Sequence, residues 1–129
     1  MLPEDECFRL LARGHLGRVG LVDGERAIIL PVNYVFDAGC VFFQSTSGSK
    51  LEAALEGRHV AFEIDALDPM YHGGYSVLVN GHAELVEDPE EKDRLAELPL
   101  RPWWPEARDR WIRIRAEQIS GRRLRSDPM

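Results

Sequence analysis

Apolar and polar residues change period several times along the chain, and each change marks an element. From Glu4 to Arg13 the residues Cys7, Phe8, Leu10, Leu11 and Ala12 gather at helical spacing, with acids in the first turn, Arg13 in the last and Gly14 just beyond. This predicts a short helix. His15 to Val22 reads as a strand closed by the tight-turn dipeptide Asp23-Gly24, and Arg26 to Phe36 returns as the second strand of a hairpin. Pro31 has no amide hydrogen to give a ladder, so that strand belongs at an edge or bulges there. Backbone around Val32 and Asn33 is then expected to meet something other than a neighbouring strand.

Asp37-Ala38-Gly39 turns the chain into a third strand, Cys40 to Gln44, and a polar loop leads to a helix over Ser49 to Glu56 with Leu51, Ala54 and Leu55 on one face and Gly57 as its stop. His59 to Ile64 is the fourth strand, followed by an Asp-, Pro- and Gly-rich loop from Asp65 to Gly74. Tyr75 to Glu87 is the longest strand pattern, and Gly81 in its middle predicts a bulge or the close approach of another group. Asp88 as N-cap and Pro89 as first helical residue open a helix to about Leu98 with an acidic, solvated face. Three prolines around Trp103 and Trp104 interrupt regular structure, and Trp111 to Ile119 alternates as the last strand. Six hairpin-connected strands with short helices predict a mainly β protein, a small antiparallel barrel with helical additions.

Composition narrows this. A chain of 129 residues fits a single domain, 1–129, too small to hold a cofactor domain beside a catalytic one. A site is therefore expected at the surface or between subunits. The net charge of −6 argues against a nucleic-acid partner. No apolar run is long enough for a membrane, and Met-Leu-Pro-Glu-Asp does not begin like a signal peptide, so the expected compartment is the cytoplasm. Cys7 and Cys40 lack zinc-site spacing and read as reduced, buried small residues. The four histidines show no metal spacing; His72, in a loop beside Tyr75 and Ser76, is a candidate proton donor or an ordinary loop residue. Glu63, Asp65 and Asp68 read as strand-end and turn carboxylates.

The stretch with the most chemistry runs from Val41 to Leu55. Ser45, Thr46, Ser47 and Ser49 offer hydroxyls, Gly48 lets the backbone bend, the first amides of the following helix lack intrahelical acceptors, and Lys50 adds a positive charge. That combination suits a phosphate. It also suits a plain helix cap with a solvated lysine.

The order of these pieces resembles the split-barrel flavoproteins related to pyridoxamine 5′-phosphate oxidase, within them the short nitroimidazole-reductase-like branch. The matching stretches are Leu30-Pro31-Val32-Asn33-Tyr34, the run from Val41 to Lys50, Gly74-Tyr75-Ser76-Val77-Leu78-Val79-Asn80-Gly81 and Ile119-Ser120-Gly121-Arg122-Arg123-Leu124. The resemblance implies a six-stranded antiparallel split β-barrel, a homodimer and FMN at the dimer interface. It assigns the phosphate to Thr46, Ser49 and Lys50, beside the Ser45 hydroxyl already counted as a candidate, the flavin ring to backbone at Val32 and Asn33, a polar contact to Ser76 and cover of the ring edge to Trp104 of the partner subunit. It implies an FMN-dependent oxidoreductase, of flavin-reductase or nitroreductase type, acting on a small-molecule substrate with no catalytic side chain identified. Use of the deazaflavin F420, and a non-catalytic flavin- or haem-binding protein, are the alternatives. Pro31 stands where the oxidase proper has a basic residue, and the oxidase's longer C-terminal segment is missing or not recognisable here, which speaks against vitamin B6 oxidation. Arg26 falls where the oxidase has a phosphate-contacting Arg, yet directly follows a hairpin turn where a solvated Arg is ordinary. Arg122 and Arg123 meet an anionic group or solubilise a tail.

Overall fold

A computed structural model describes residues 1–45, 55–68, 73–100 and 110–125. Helix α1 spans Glu4–Arg13, as the spacing predicts, and buries Cys7, Leu10 and Leu11. Its C-terminus is fixed by Tyr34, whose buried hydroxyl donates to the Leu11 carbonyl at 2.7 Å. Gly14 supplies room there: a Cβ would run into the Tyr34 side chain. Burial pushes the Tyr34 phenol up, so it stays a neutral donor.

The strands are β1 Leu16–Asp23, β2 Arg26–Asn33, β3 Val35–Asp37, β4 Cys40–Ser45, β5 His59–Asp68, β6 Gly73–Leu85, β7 Arg110–Arg115 and β8 Gln118–Arg125. They form one antiparallel sheet in the order β2-β1-β5-β6-β7-β4-β3, with β8 also on β6. The chain is thus mainly β, as expected, but among the described residues the strands number eight rather than six. The first of the two extra breaks falls at Tyr34. Its amide donates to the His15 carbonyl at 3.0 Å and its ring packs edge-on against Phe62, after which the chain leaves β1 and pairs with β4. The second falls at Ala116 and Glu117, whose amides donate to the Gly39 and Asn80 carbonyls at 3.2 and 3.0 Å. The tail expected after Ile119 is instead strand β8.

Turn chemistry follows the residue types with one shift. Asp23 remains in β1 opposite Arg26, so the hairpin loop is Gly24-Glu25, with Gly24 at φ 64°. Gly57 takes φ 72° as a helix stop should, just after Leu55, which is helical and fully buried. The earlier part of the predicted Ser49 to Glu56 helix lies outside the described residues. Pro31 lies on β2, at the end of the strand order, which its missing amide permits.

Helix α2, Pro89–Ala96, is capped by the Asp88 carboxylate, which accepts from the Glu90 amide at 3.2 Å. Its acidic face is solvated at Glu90, Asp93 and Glu97, as expected, whereas Glu91 turns to a partner. Both Glu91 oxygens accept from the Arg113 Nη1 at 2.8 and 2.9 Å, and Arg94 pairs with Asp37, so the helix is tied to β7 and to the end of β3.

Alternation divides the core in two. Val19, Phe43, Phe62, Val77 and Ile112 belong to the main cluster that α1 covers. Phe42, Val86, Leu95 and Trp111 form a smaller one beneath α2. Cys7 and Cys40 are free thiols, one in each cluster, and burial pushes both up.

Strand β6 is shared. It pairs with β5 from Gly73 to His82 along one edge, and on the other with β8 up to Asn80 and with β7 from Ala83. Gly81 is the crossing point, where a Cβ would overlap the Arg115 carbonyl oxygen. The close approach expected there is that of β7. Gly81→Ala should therefore lower the unfolding free energy by about 1–3 kcal/mol, the usual cost of overpacking, measured by urea denaturation. A loss near zero would show that the strands separate there at little cost.

Candidate functional site

Inward residues of β1, β5 and β6 fill the main core, so their outward residues define a face. Register lines these up in rows across the sheet. One row is Pro31, Arg18, Glu63, Leu78 and Ser120, the next is Ile29, Gly20, Ala61, Asn80 and Gln118, and on the other side Asp65, Ser76 and Arg122 follow one another. Five large apolar side chains are exposed on this face: Leu16, Val22, Ile29, Leu67 and Leu78, with Ile29 and Leu67 each 70% exposed. Apart from Met1 they are the exposed large hydrophobics among the described residues.

A groove of about 580 Å³ runs over the β5–β6–β8 part of the face, bordered by Glu63, Asp65, Ser76, Leu78 and Arg122. A shallower one of about 300 Å³ lies over β1, β2 and β5, beside Ile29, His59 and Asn80. Among the described residues Arg122 has no ion-pair partner, whereas Arg18 Nη1 reaches both Glu63 Oε1 at 3.3 Å and Asp65 Oδ2 at 3.0 Å. Burial raises the Glu63 carboxyl above its ordinary value, the neighbouring Asp65 adds to this, and Arg18 opposes it. At the other end of the face the rings of His59 and His82 stack 5.1 Å apart, and His82 Nδ1 lies 2.7 Å from Glu117 Oε1. That hydrogen bond holds the Glu117 carboxyl below the usual range. No cluster of three metal-ligating side chains occurs among the described residues.

The expected site residues are distributed as follows. Asn33 and Ser76 share the outward face, with Ser76 bordering the larger groove. Val32 turns its side chain into the core, leaving only its backbone for a ligand, and the Asn33 side-chain Nδ2 donates to the His15 carbonyl at 3.4 Å. Among the described residues no strand pairs with the second edge of β2. Ser45 ends β4 on the Val41 and Phe43 side; it is buried, and its hydroxyl has no hydrogen-bond partner among the described residues. Thr46, Ser49, Lys50, His72 and Trp104 lie outside the described residues. Arg26 is exposed at the hairpin opposite Asp23. Arg122 and Arg123 belong to β8, on opposite faces.

Sequence reasoning missed the Arg18–Glu63–Asp65 cluster and the His82–Glu117 pair. Glu63 and Asp65 are not at a strand end, because β5 continues to Asp68. The two-residue spacing of the acids was the available signal, since it puts both on one face of a strand.

Known proteins place this fold. The family model of pyridoxamine 5′-phosphate oxidase matches residues 3–123. The chain belongs to the pyridoxamine 5′-phosphate oxidase-like family. It is 37% identical over 131 residues to an uncharacterized protein of Mycobacterium tuberculosis, a match covering 98% of this chain and 86% of the relative. An FAD-binding protein of Mycobacterium smegmatis superposes with a TM-score of 0.86 at 33% identity, covering 97% of this chain and 98% of that one. A second FAD-binding protein, from Mesorhizobium loti, superposes at 0.76 with 23% identity over 97% and 96% of the two chains, a likeness of fold. The expected split-barrel architecture is that of these flavin-binding relatives.

Glu63 generates a titration test. Its folded pKa is raised, so its contribution to stability is complete below the ordinary carboxylate pKa and is lost as pH rises through the raised value. NMR titration of the side-chain carboxyl should give a pKa above the ordinary range, and Arg18→Ala should raise it further by removing the opposing charge. A lower value in the Arg18 variant would contradict the assigned geometry.

Proposed function

We propose that this protein is a flavin-dependent oxidoreductase that works as a homodimer, its flavin held where the outward faces of two copies meet. The observation that carries the reading is the match, over nearly the whole of both chains, to the FAD-binding protein of M. smegmatis. That likeness favours FAD over FMN as the flavin; the phosphate corner serves either.

Several residues fit. The buried Ser45 hydroxyl, without a partner among the described residues, ends β4 just before the Thr46 to Lys50 stretch, and a phosphate oxygen would satisfy it. Ser45, Thr46, Ser49 and Lys50 would hold the phosphate, and Ser76 and Asn33 would present polar atoms toward the ring from the outward face. Trp104 of the twin would cover its edge. A bound flavin supplies hydride and single-electron transfer. The chain's own task is to orient the ring, to exclude water with Leu16, Ile29 and Leu78, and to leave room for a small planar acceptor in the groove beside Ser76. Apolar side chains gathered on one face are what a second copy buries in an isologous contact. A cytosolic setting suits two free, buried thiols.

The purified protein should be yellow, and denaturation should release a flavin identified by chromatography. Anaerobic addition of reduced nicotinamide should bleach it. Colourless protein whose melting temperature is unmoved by FAD, FMN or F420 would sink the proposal, because a ligand of the native state must raise apparent stability. Lys50→Ala should weaken flavin binding about tenfold or more through loss of phosphate charge, with little change in folding; equal affinities by fluorescence titration would remove Lys50 from the site. In sedimentation, wild type should have twice the chain mass and Ile29→Glu should shift to the single-chain mass. A wild-type monomer would refute the interface.

A further inference from the structure

A second pocket, of about 360 Å³, opens on the other side of the sheet, between α1 and the strand ends of β5, β6 and β8. Arg13 and Arg123 both line it, brought together from opposite ends of the chain by packing of α1 on β8. Gly121 makes that packing possible: a Cβ there would lie 2.6 Å from Cys7 Sγ, and its carbonyl accepts from the Leu2 amide at 2.9 Å. The two arginines are a product of tertiary structure.

Charge in this pocket does not balance. Glu6 lines it too, but its carboxylate is paired with Arg9. The Glu6 carboxyl is held below the ordinary range, by the Arg9 hydrogen bond first and then, against its desolvation, by the fields of Arg9, Arg123 and Arg13. Among the described residues, the charged side chains that line the pocket are thus two guanidinium groups, Arg13 and Arg123, and one carboxylate, Glu6, that Arg9 already pairs. Neither Arg13 nor Arg123 has an ion-pair partner among the described residues. Tyr75 lines the pocket beside them, partly buried against the core, and its hydroxyl has no hydrogen-bond partner among the described residues. Leu10 gives an apolar wall.

We propose that this pocket is a second ligand site, separate from the flavin face, that takes a small dianion, a phosphate monoester or a dicarboxylate, between Arg13 and Arg123. The planar guanidinium fork matches either oxyanion. Two arginines neutralise two charges, Tyr75 Oη donates a third hydrogen bond, and the volume lies at the small end of ligand pockets, about 300–1,000 Å³. Strand alternation keeps it apart from the outward face: Tyr75 and Arg123, paired in register, point to the α1 side, whereas Ser76 and Arg122, also paired, point away.

The test is an NMR titration of the protein as purified, following the Arg13 and Arg123 side-chain Nε resonances, with inorganic phosphate and succinate as separate probes at constant ionic strength. Saturable shifts with either probe, absent with chloride, are expected, and the probe that saturates identifies the head group. Arg13→Gln and Arg123→Gln should each weaken binding about tenfold or more, the worth of one charge-assisted pair, while Arg26→Gln leaves it unchanged. Binding should persist in Lys50→Ala, and flavin content should persist in both pocket variants, so failure here is distinguishable from failure of the flavin reading. No saturable shift with either probe, undiminished binding in both pocket variants, or binding abolished by Lys50→Ala would overturn the proposal.

Discussion

The fold depends on one backbone contact, the approach of the Arg115 carbonyl to Gly81. β6 is thirteen residues long, and its second edge serves two partners in succession, β8 and then β7. The change of partner needs the β7–β8 turn to pass close over β6, and any side chain at the crossing would hold the strands apart. Because β7 continues to β4 and β4 to β3, this crossing also joins the two halves of the strand order around the main core, to which Ile112 and Ile114 belong together with Val77 and Phe43. Glycine weakens a strand locally, and here that local weakness serves the whole.

Building the core in this way commits β1, β5 and β6 to a polarity. Their inward residues are consumed by packing, so the chemistry of the outward face is whatever the alternate positions carry. Those positions mix apolar residues with a compact polar group, Arg18 held by Glu63 and Asp65, in the middle of the sheet. An apolar face with a satisfied polar cluster at its centre differs from an ordinary solvated face, which would scatter single charges. The cluster fixes register wherever something else covers the face, since a misplaced partner would strand a charge.

How legible this was in the sequence varies with the range of the forces involved. α1, the Asp88 cap, the Gly57 stop and the edge position of Pro31 are local, set by spacing, capping and missing donors, and these agree with the structure. The breaks at Tyr34 and at Ala116-Glu117 were not legible, because both depend on carbonyls of residues distant in the chain, those of His15, Gly39 and Asn80. β8 was hidden for a related reason: Ser120-Gly121-Arg122 has poor strand propensity, and Gly121 is there to admit Cys7 of α1. Of the candidate site, Ser76 came from the family resemblance alone and Asn33 from that resemblance and the missing amide of Pro31; that they share a face, like the ion pairs across β1 and β5, required a register that no single stretch encodes.

Adjacent residues of β8 show how the architecture separates tasks. Arg122 and Arg123 read in sequence as one basic pair, yet a strand sends consecutive side chains to opposite faces. Arg122 therefore joins the outward face beside Ser76, and Arg123 joins the α1 pocket beside Tyr75. A chain with net charge −6 thus sends one guanidinium to each of two surfaces from two neighbouring positions of one strand. Since the two guanidinium groups look away from each other across the sheet, what binds one does not have to displace what binds the other, and the two surfaces are free to carry different ligands.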